Sequence, residues 1–382
     1  MASRTPPWHP RYSLNSAIAK ALMEIEAARA VVEHTPLPAT VEAELRRRAR
    51  LRSTHFSTRI EGNRLTLAET EQVIEGRRAE FRGRERDVSE VRNYWNALVR
   101  VEEWAAKKLP LTEDLIKRLH ALVEKGARAK PAPYRSGQNV IRDSASGSIV
   151  YLPPEAKDVP ALMAGLVDWV KGAEKEDIPA PLVAAVAHYQ FVTIHPYYDG
   201  NGRTARLLAT FILHRGGYGL HGFSSLEEHH ARDLEGYYNA LVTHPHHNYY
   251  EGRADADLTG WLAYFVKTVA QVFNEVKEEA LRAAREGAPI EPEELRRLDP
   301  RARTVLSLFA RQDRITSAQV AQTLGLSERM ARELLRAWVG QGWLVVADPS
   351  NRGRAYSLSA SYRQYVGALS ATGPSHKGAS RK

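Results

Sequence analysis

Apolar residues recur three and four positions apart along most of the first 285 residues, and this spacing predicts a mainly α-helical fold. The predicted helices cover residues 14–33, 41–60, 66–76, 88–108, 111–126, 159–170, 181–194, 202–215, 234–241 and 258–285. Two short extended runs, residues 138–142 and 149–151, interrupt the helical pattern and flank a turn of small residues. That arrangement predicts a β-hairpin.

The pattern changes again near the C-terminal end of the chain. Residues 286–300 contain three prolines and a glycine, which predicts a linker between domains. Beyond it the pattern predicts three helices (302–311, 317–324 and 327–341) and two strands (343–346 and 354–358). A helix, a helix–turn–helix and a two-stranded wing resemble a winged-helix domain, here residues 301–365. The small, polar residues 366–382 predict a flexible tail.

Composition and charge then exclude several classes of protein. The chain has no cysteine, so a disulfide scaffold, a thiolate nucleophile and a cysteine-ligated metal site are excluded. No apolar run approaches the length needed to span a membrane, and the first ten residues lack a signal-peptide core, so we expect a cytoplasmic protein. The net charge of +9 falls in residues 301–382, because the first 300 residues are balanced. A polyanionic partner is therefore expected only at that end.

Reactive side chains are concentrated in residues 195–206, which read His-Pro-Tyr-Tyr-Asp-Gly-Asn-Gly-Arg-Thr-Ala-Arg and join two predicted helices. Gly200 and Gly202 permit backbone conformations that turn successive N–H groups toward one point. Because a helix begins there, we predict an anion-binding nest strengthened by the helix dipole. Arg203 and Arg206 lie on one side of the first helical turn, and two guanidinium groups beside a nest favour a polyphosphate.

The same stretch offers a metal ligand and a base. Asp199 supplies a hard oxygen that suits Mg²⁺ shared with phosphate oxygens. His195 is the side chain whose ordinary pKa allows it to accept a proton near neutral pH. Together with the nest and the arginines, these groups predict nucleotidyl or phosphoryl transfer to a hydroxyl.

These twelve residues resemble the signature of the Fic family, His-Pro-Phe-x-(Asp/Glu)-Gly-Asn-Gly-Arg-x-x-Arg, with Tyr197 in the place of the phenylalanine. The resemblance implies a Fic-type helical core at residues 109–285, after an N-terminal helical region at residues 1–108. It also implies that the hairpin is a flap that docks the target segment by strand addition. The flap residues are Val140, Ile141, Arg142, Ile149, Val150 and Tyr151.

The resemblance further implies a role for each motif residue. His195 is the general base that deprotonates a Ser, Thr or Tyr hydroxyl, and Asp199 holds Mg²⁺ against the phosphates of ATP. The implied nucleotide-binding residues are Gly200, Asn201, Gly202, Arg203 and Arg206. The reaction implied is AMPylation, the transfer of AMP to another protein or to the chain itself. Kinases of the same fold have lysine at the position of Gly202, which favours adenylyl transfer, and UMP transfer stays open.

A second motif lies at residues 57–63. Thr58 and Glu61 have the spacing of a capping box, but the Gly62-Asn63 pair that follows is typical of a helix end. If Glu61 ends the helix that begins at residue 41, its carboxylate needs a cationic partner. Residues 57–62 resemble the Fic inhibitory motif, (Ser/Thr)-x-x-x-Glu-(Gly/Asn), formed here by Ser57, Glu61 and Gly62. The resemblance implies that Glu61 pairs with Arg206 and inhibits the enzyme, and leaves removal of AMP from targets open.

Two interpretations of the basic C-terminal region remain. Its arginines predict DNA contact by the third helix and the wing, although many winged helices instead dock proteins. These arginines are Arg329, Arg332, Arg336, Arg352 and Arg354. The alternative function of the whole chain is therefore a DNA-binding transcriptional regulator that senses nucleotide. The resemblance also leaves a homodimer open.

Two other groups of side chains have simpler explanations. His244, His246 and His247 lack the spacing of a metal site, which favours a solvated loop. The arginines at positions 46–52 predict an exposed helix face beside acidic neighbours.

Overall fold

A computed structural model describes residues 8–76, 81–126, 130–142, 146–285, 298–310, 312–350 and 354–363. The chain forms two compact units, one of Met1–Thr35 with Arg46–Arg282 and one of Pro36–Leu45 with Ala283–Lys382. The predicted tail at residues 366–382 and most of the predicted linker, residues 286–297, lie outside the described residues. None of the described helices is long and apolar enough to cross a bilayer.

The first unit is mainly helical, as predicted. Its helices are α1 (Ser16–His34), α2 (Ala39–Ile60, from residue 46 onward), α3 (Leu67–Ile74), α4 (Glu85–Ala106), α5 (Glu113–Lys125), α6 (Val159–Lys175), α7 (Ala180–Ile194), α8 (Asn201–Arg215), α9 (Leu226–Arg232), α10 (Leu234–Leu241) and α11 (Thr259–Arg285). Single turns of 3₁₀-helix cover Leu220–Gly222 and Tyr249–Glu251. The sequence pattern did not predict α9 or these short turns.

Helix α7 forms the centre of this unit. It is buried along nearly its whole length, which matches its apolar sequence, and it packs against α6 and α8. Trp261 of α11 donates a hydrogen bond from Nε1 to the carbonyl oxygen of Ala185, at 2.7 Å. Helix α8 also packs against α4 and α5. The loop between α7 and α8 is therefore held between two helices that are themselves fixed by the core.

The predicted β-hairpin is confirmed. Strands β1 (Ile141–Arg142) and β2 (Ile149–Tyr151) pair antiparallel, with Ile141 opposite Tyr151. The hydroxyl of Tyr151 donates to the carbonyl oxygen of Thr193 at 2.7 Å, which ties the hairpin to the end of α7. Ile149 and Val150 are 42% and 47% exposed, so the strand offers apolar side chains to solvent beside the loop.

The second unit has its own core. It contains α12 (Pro300–Leu306), a 3₁₀ turn (Ser307–Ala310), β3 (Ile315–Thr316), α13 (Ser317–Leu324), α14 (Glu328–Gly340), β4 (Leu344–Asp348) and β5 (Ala355–Leu358). The strands form an antiparallel sheet in the order β3-β5-β4. Trp338 and Trp343 are fully buried in its apolar cluster. The helices and the two wing strands follow the predicted order, β3 was not predicted, and the winged-helix assignment stays a prediction.

Candidate active site

His195 is held at the point where α7 ends. Its backbone is left-handed, with φ 51° and ψ 59°, and its N–H donates to the carbonyl oxygen of Phe191 at 3.0 Å. The ring atom Nδ1 lies 3.3 Å from the carbonyl oxygen of Val192. A carbonyl can only accept, so we assign the ring proton to Nδ1 and the lone pair to Nε2. Burial lowers the pKa of His195 to about 4, which keeps the imidazole neutral and able to accept a proton at pH 7.

Asn201 closes the loop that follows His195. Its Oδ1 accepts from the N–H of Tyr197 at 3.0 Å, and its Nδ2 donates to the carbonyl oxygen of Tyr197 at 2.8 Å. The side chain of Asn201 thus fixes the loop, and a phosphate contact from this residue would have to use its backbone N–H. The ring of Tyr197 is buried and stacks on His120 at 3.5 Å between centroids, which is a packing role.

Both motif glycines lie where a side chain would meet a carboxylate. Gly200 precedes α8 in the left-handed region, with φ 74°, and a Cβ there would overlap the carboxylate of Glu124. A Cβ on Gly202 would overlap the carboxylate of Glu61. The first N–H groups of a helix have no partner within the helix. The carboxylate of Glu61 therefore lies at the helix start where the sequence predicts an anion.

Arg206 is buried behind that carboxylate and pairs with it, as the sequence predicts. Its Nη2 lies 2.8 Å from Oε1 of Glu61 and donates to the carbonyl oxygen of Ser57 at 2.9 Å, while Nε donates to the Ser57 hydroxyl at 2.8 Å. Burial opposes the charge of the guanidinium, but the attraction of Glu61 outweighs it and holds the pKa of Arg206 above its ordinary value.

The capping-box alternative for Thr58 is wrong. Thr58 lies inside the last turns of α2, where its hydroxyl donates to the carbonyl oxygens of Thr54 and His55 at 3.0 Å. The helix ends after Ile60, and Gly62 follows with φ 89°. Glu61 is therefore placed by the end of α2.

Arg203 lies among carboxylates, and its predicted contact with phosphate stays a prediction. Its guanidinium is buried and lies 2.9 Å from the carboxylate of Glu124, 3.3 Å from Asp199 and 3.8 Å from Glu90. Two of these carboxylates, Glu124 and Glu90, lie outside the sequence motif, and together with Asp199 they compensate the charge of Arg203. Arg203 thus supports the loop and Asp199 in this structure, whereas Arg206 faces the helix start.

Asp199 is the exposed carboxylate of the loop. Its side chain is 59% exposed, and Oδ1 accepts from the N–H of Gly200 at 2.6 Å. No group of three or more His, Asp or Glu side chains able to hold a metal ion occurs in the described parts of the chain. A single exposed carboxylate nevertheless suits Mg²⁺, which is commonly bound by one or two carboxylates together with substrate phosphates and water.

Comparison with known proteins identifies the region that carries this site. The sequence model of the Fic/DOC family matches residues 110–213, from just before α5 to near the end of α8. The chain contains a Fic domain. The predicted resemblance to the Fic family over this region and the mainly helical Fic fold are therefore confirmed.

Two curated relatives and a solved structure extend the comparison. The chain is 29% identical over 197 residues to the protein adenylyltransferase Fic of Drosophila willistoni, which covers 52% of this chain and 38% of the relative. It is 34% identical over 166 residues to that of Nematostella vectensis, covering 43% and 37%. The chain thus spans just over a third of these relatives' length. A crystal structure of a Fic family protein from Desulfovibrio desulfuricans has a TM-score of 0.58 and 25% identity, covering 92% of this chain and 99% of that one.

The sequence indicated no role at this loop for three residues of the Fic domain, of which His120 was interpreted as a core or groove residue. Glu124 and His120 lie on α5, and Nε2 of His120 lies 3.0 Å from the carbonyl oxygen of Asp199. Arg135, before the hairpin, contacts the carbonyl oxygen of His195 at 2.9 Å. All three are brought to the loop by the tertiary fold, and no local spacing marks them.

The arginines predicted to contact DNA lie outside the Fic domain. Arg329 and Arg332 on α14 are paired with Glu333 and Glu328, at 3.6 and 2.7 Å. Arg336 and Arg354 are exposed, and Arg352 lies outside the described residues. DNA contact therefore stays a prediction, as does self-association.

The histidines at positions 244–247 form no metal site in the described residues. His246 instead pairs with Glu251 at 2.7 Å.

Proposed function

We propose that this protein transfers AMP from ATP to a hydroxyl group of a protein side chain. The curated relatives of the Fic domain named above are protein adenylyltransferases, which supports that reaction. The observation that carries the proposal is the neutral imidazole of His195 next to the start of α8, whose glycines leave room for an anion. A base and an anion site in one short loop suit nucleotidyl transfer to a hydroxyl.

The proposed step begins with proton removal. The acceptor hydroxyl gives its proton to Nε2 of His195 as its oxygen attacks the α-phosphorus of ATP. The new oxygen–phosphorus bond forms while the bond from the α-phosphorus to the bridging oxygen breaks, and pyrophosphate leaves. The first N–H groups of α8 stabilise the negative charge on the phosphates, because they have no partner within the helix.

Arg206 and Asp199 complete the proposed nucleotide site. Arg206 binds the γ-phosphate when Glu61 does not occupy its guanidinium, because a phosphate accepts the same charge-assisted hydrogen bonds. Asp199 would hold Mg²⁺, which when bound neutralises phosphate charge. The carboxylate is kept in place by the N–H of Gly200 and by Arg203.

The hairpin is the proposed docking site for the protein target. Ile149 and Val150 of β2 are partly exposed, while Tyr151 is buried and anchors the strand. An added strand would satisfy backbone groups of the hairpin edge and bring its own hydroxyl toward His195. The same flap residues that the sequence indicates, from Val140 to Arg142 and from Ile149 to Tyr151, would make these contacts.

Glu61 is proposed to inhibit the reaction. Its carboxylate pairs with Arg206 and lies over Gly202, so a triphosphate would have to displace it. A γ-phosphate beside Arg206 would lie close to the carboxylate of Glu61, and the two negative groups would repel each other. The wild-type protein should therefore bind ATP weakly and transfer little AMP.

The test compares labelled ATP in the Glu61→Gly variant. Label transferred to protein from the α-phosphate and not from the γ-phosphate supports adenylyl transfer, and His195→Ala should abolish it. Glu61→Gln is the matched control, since it keeps the size of the side chain and removes its charge. Label from the γ-phosphate would mean a kinase, and equal labelling of wild type and Glu61→Gly would contradict inhibition. α-labelled UTP in place of ATP tests the choice of base.

A further inference from the structure

Arg135 is a buried cation that contacts only carbonyl oxygens in the described structure. It is 4% exposed, and its guanidinium donates to the carbonyl oxygens of His195 and Gly137 at 2.9 Å each, and to that of Pro154. Its own backbone N–H donates to the carbonyl oxygen of Pro196 at 2.9 Å. Across the described ranges, no carboxylate lies within ion-pair distance of this guanidinium.

Such a cation is costly to bury. Burial lowers the pKa of Arg135 because the charged form loses water, and no negative group nearby reverses the effect. Carbonyl dipoles compensate the charge only if the planar guanidinium reaches each of them in a fixed geometry. The bonds of Arg135 therefore fix the relative positions of the three segments that supply those carbonyls.

These three segments are the catalytic base and both ends of the flap. Gly137 precedes the hairpin and Pro154 follows it, whereas His195 has a left-handed backbone that residues other than glycine rarely adopt. A backbone of this kind persists where surrounding contacts hold it. A second link supports the connection, since the hydroxyl of Tyr198 accepts from the N–H of Gly137 at 2.8 Å.

We propose that Arg135 is a positioning residue that holds the backbone of His195 and joins the base to both ends of the flap, so that a target docked on the hairpin meets an aligned imidazole. The proposal rests on the proposed function, because alignment matters only if His195 accepts the proton. It deepens that function by coupling target docking to the base through one side chain.

The guanidinium also acts on the charge of the base. Burial is the largest cause of the low pKa of His195, and the positive charge of Arg135 lowers that pKa further. The carbonyl of Val192 and the carboxylates of Glu61 and Asp199 act in the opposite direction. Replacing Arg135 with a neutral side chain should therefore raise the pKa of His195, whereas lysine should keep it low.

The test introduces Arg135→Met and Arg135→Lys into the Glu61→Gly protein. Misplacement of a catalytic group by a small distance costs about 100-fold in rate, so we expect that loss in kcat for Arg135→Met. The affinity for ATP with Mg²⁺, measured by calorimetry, should stay close to that of the parent, because the triphosphate contacts lie on α8. Arg135→Lys should lose part of the rate while the pKa of His195 stays low. This variant therefore separates the effect of aligning His195 from the effect of the positive charge.

Arg215→Met is the matched control. Arg215 is also largely buried and donates to a carbonyl oxygen, that of Leu109 at 3.2 Å. It differs from Arg135 in that it also pairs with Glu174, and it lies at the opposite end of α8 from the loop. Its loss should lower stability without changing kcat of the folded protein. Circular dichroism shows whether each variant is folded. If Arg135→Met is not folded, kcat is compared between Arg135→Lys and the parent instead.

Two readouts keep this proposal separate from the proposed function. If Glu61→Gly itself transfers no label, adenylyl transfer is contradicted. The positioning role of Arg135 is then tested in otherwise wild-type protein, by NMR titration of His195 and by hydrogen exchange of the loop and flap. We expect a raised pKa and faster exchange in Arg135→Met. If the Glu61→Gly protein transfers AMP, an unchanged kcat in Arg135→Met overturns the positioning role. If it does not, an unchanged pKa of His195 together with unchanged hydrogen exchange overturns it.

Discussion

His195 combines a left-handed backbone with an imidazole whose pKa burial lowers to about 4. An unperturbed histidine would be partly charged at pH 6.5 and unable to accept a proton in that fraction of molecules. The shift therefore extends the range in which the base is available toward acid. It also means that protonation of His195 opposes folding, since the charged form is disfavoured only in the folded chain.

The titration of His195 gives the first prediction. Its imidazole should stay neutral as the pH falls from 7 to about 5 and gain its proton near pH 4, because burial disfavours the charged ring. Unfolding should become easier as the pH falls from about 6.5 toward 4, the interval between the unfolded and folded pKa values. NMR chemical shifts of the ring measure this, with the His195→Ala spectrum as assignment control. A midpoint near 6.5 would show that the base is solvated.

At this scale the sequence predicted the residues within motifs and missed those that only the fold brings together. Glu61 and Arg206 could be paired because each belongs to a recognisable motif, although 145 positions separate them. Arg135 and Glu124 have no such local mark. Sequence spacing also cannot show that Glu124 and Glu90 lie beside Arg203, whose contact with phosphate stays a prediction.

Helix α2 places Glu61, and a series of ion pairs fixes the helix. Arg47 pairs with Glu71 of α3 at 2.8 Å, and Arg50 pairs with Glu102 of α4 at 2.6 Å. The acidic neighbours of these arginines were predicted. The prediction that the arginines form an exposed face is only partly right, since the side chain of Arg50 is 11% exposed. The basic face of α2 is thus largely a packing face.

The ion pairs of α2 should differ in strength according to burial. Arg52 makes two contacts with Glu228, whose side chain is only 7% exposed, so Arg52→Met leaves a buried carboxylate with Arg232 as its remaining partner. We expect a loss of about 1–3 kcal/mol in the free energy of unfolding.

Arg48→Met is the matched control for that variant. Arg48 is 51% exposed and pairs with Glu279 at 3.1 Å, so its loss should cost less than about 1 kcal/mol. Urea unfolding of the first unit, followed for both variants, measures the difference. Equal losses would show that burial of Glu228 does not matter.

Element boundaries were predictable where side chains mark them. Thr112 caps α5, and a threonine followed by two acidic residues is a pattern typical of a helix start. Helix α9 was missed because Leu226 is its only large apolar residue and its buried positions are Glu227, Glu228 and His230. Strand β3 has two residues, too few to show an alternating pattern.

At the scale of the whole molecule, two separate cores matter. The apolar cluster of the second unit lies entirely within residues 298–358. The first unit contains both the predicted N-terminal region and the predicted catalytic region, except for Pro36–Leu45, which belongs to the second unit. The two units are not divided at residue 108, between the predicted N-terminal and catalytic regions, because α4 and α5 pack together.

The described buried cluster of the second unit includes no residue of Pro36–Leu45, so a fragment of residues 283–382 should fold by itself. It contains two of the seven tryptophans, Trp338 and Trp343, and both are buried. Near-ultraviolet circular dichroism and a cooperative thermal transition of the fragment measure this. Trp338→Ala should abolish both signals, because the cavity left by the buried ring costs about 3–5 kcal/mol in a small domain of low stability. A fragment without fixed tryptophan signals would show that the second unit needs other parts of the chain.

The proposed reaction depends on an ATP site at the start of α8 for which Glu61 competes. Calorimetric titration of ATP with Mg²⁺ into wild-type and Glu61→Gly protein tests this most directly. Release of one charge-assisted contact of Arg206, worth about 1.5–3 kcal/mol, predicts an affinity about 10- to 100-fold higher in Glu61→Gly. Adding Arg206→Met to that variant should remove most of the gain. Equal affinities in wild type and Glu61→Gly, or no binding to either, would contradict the account.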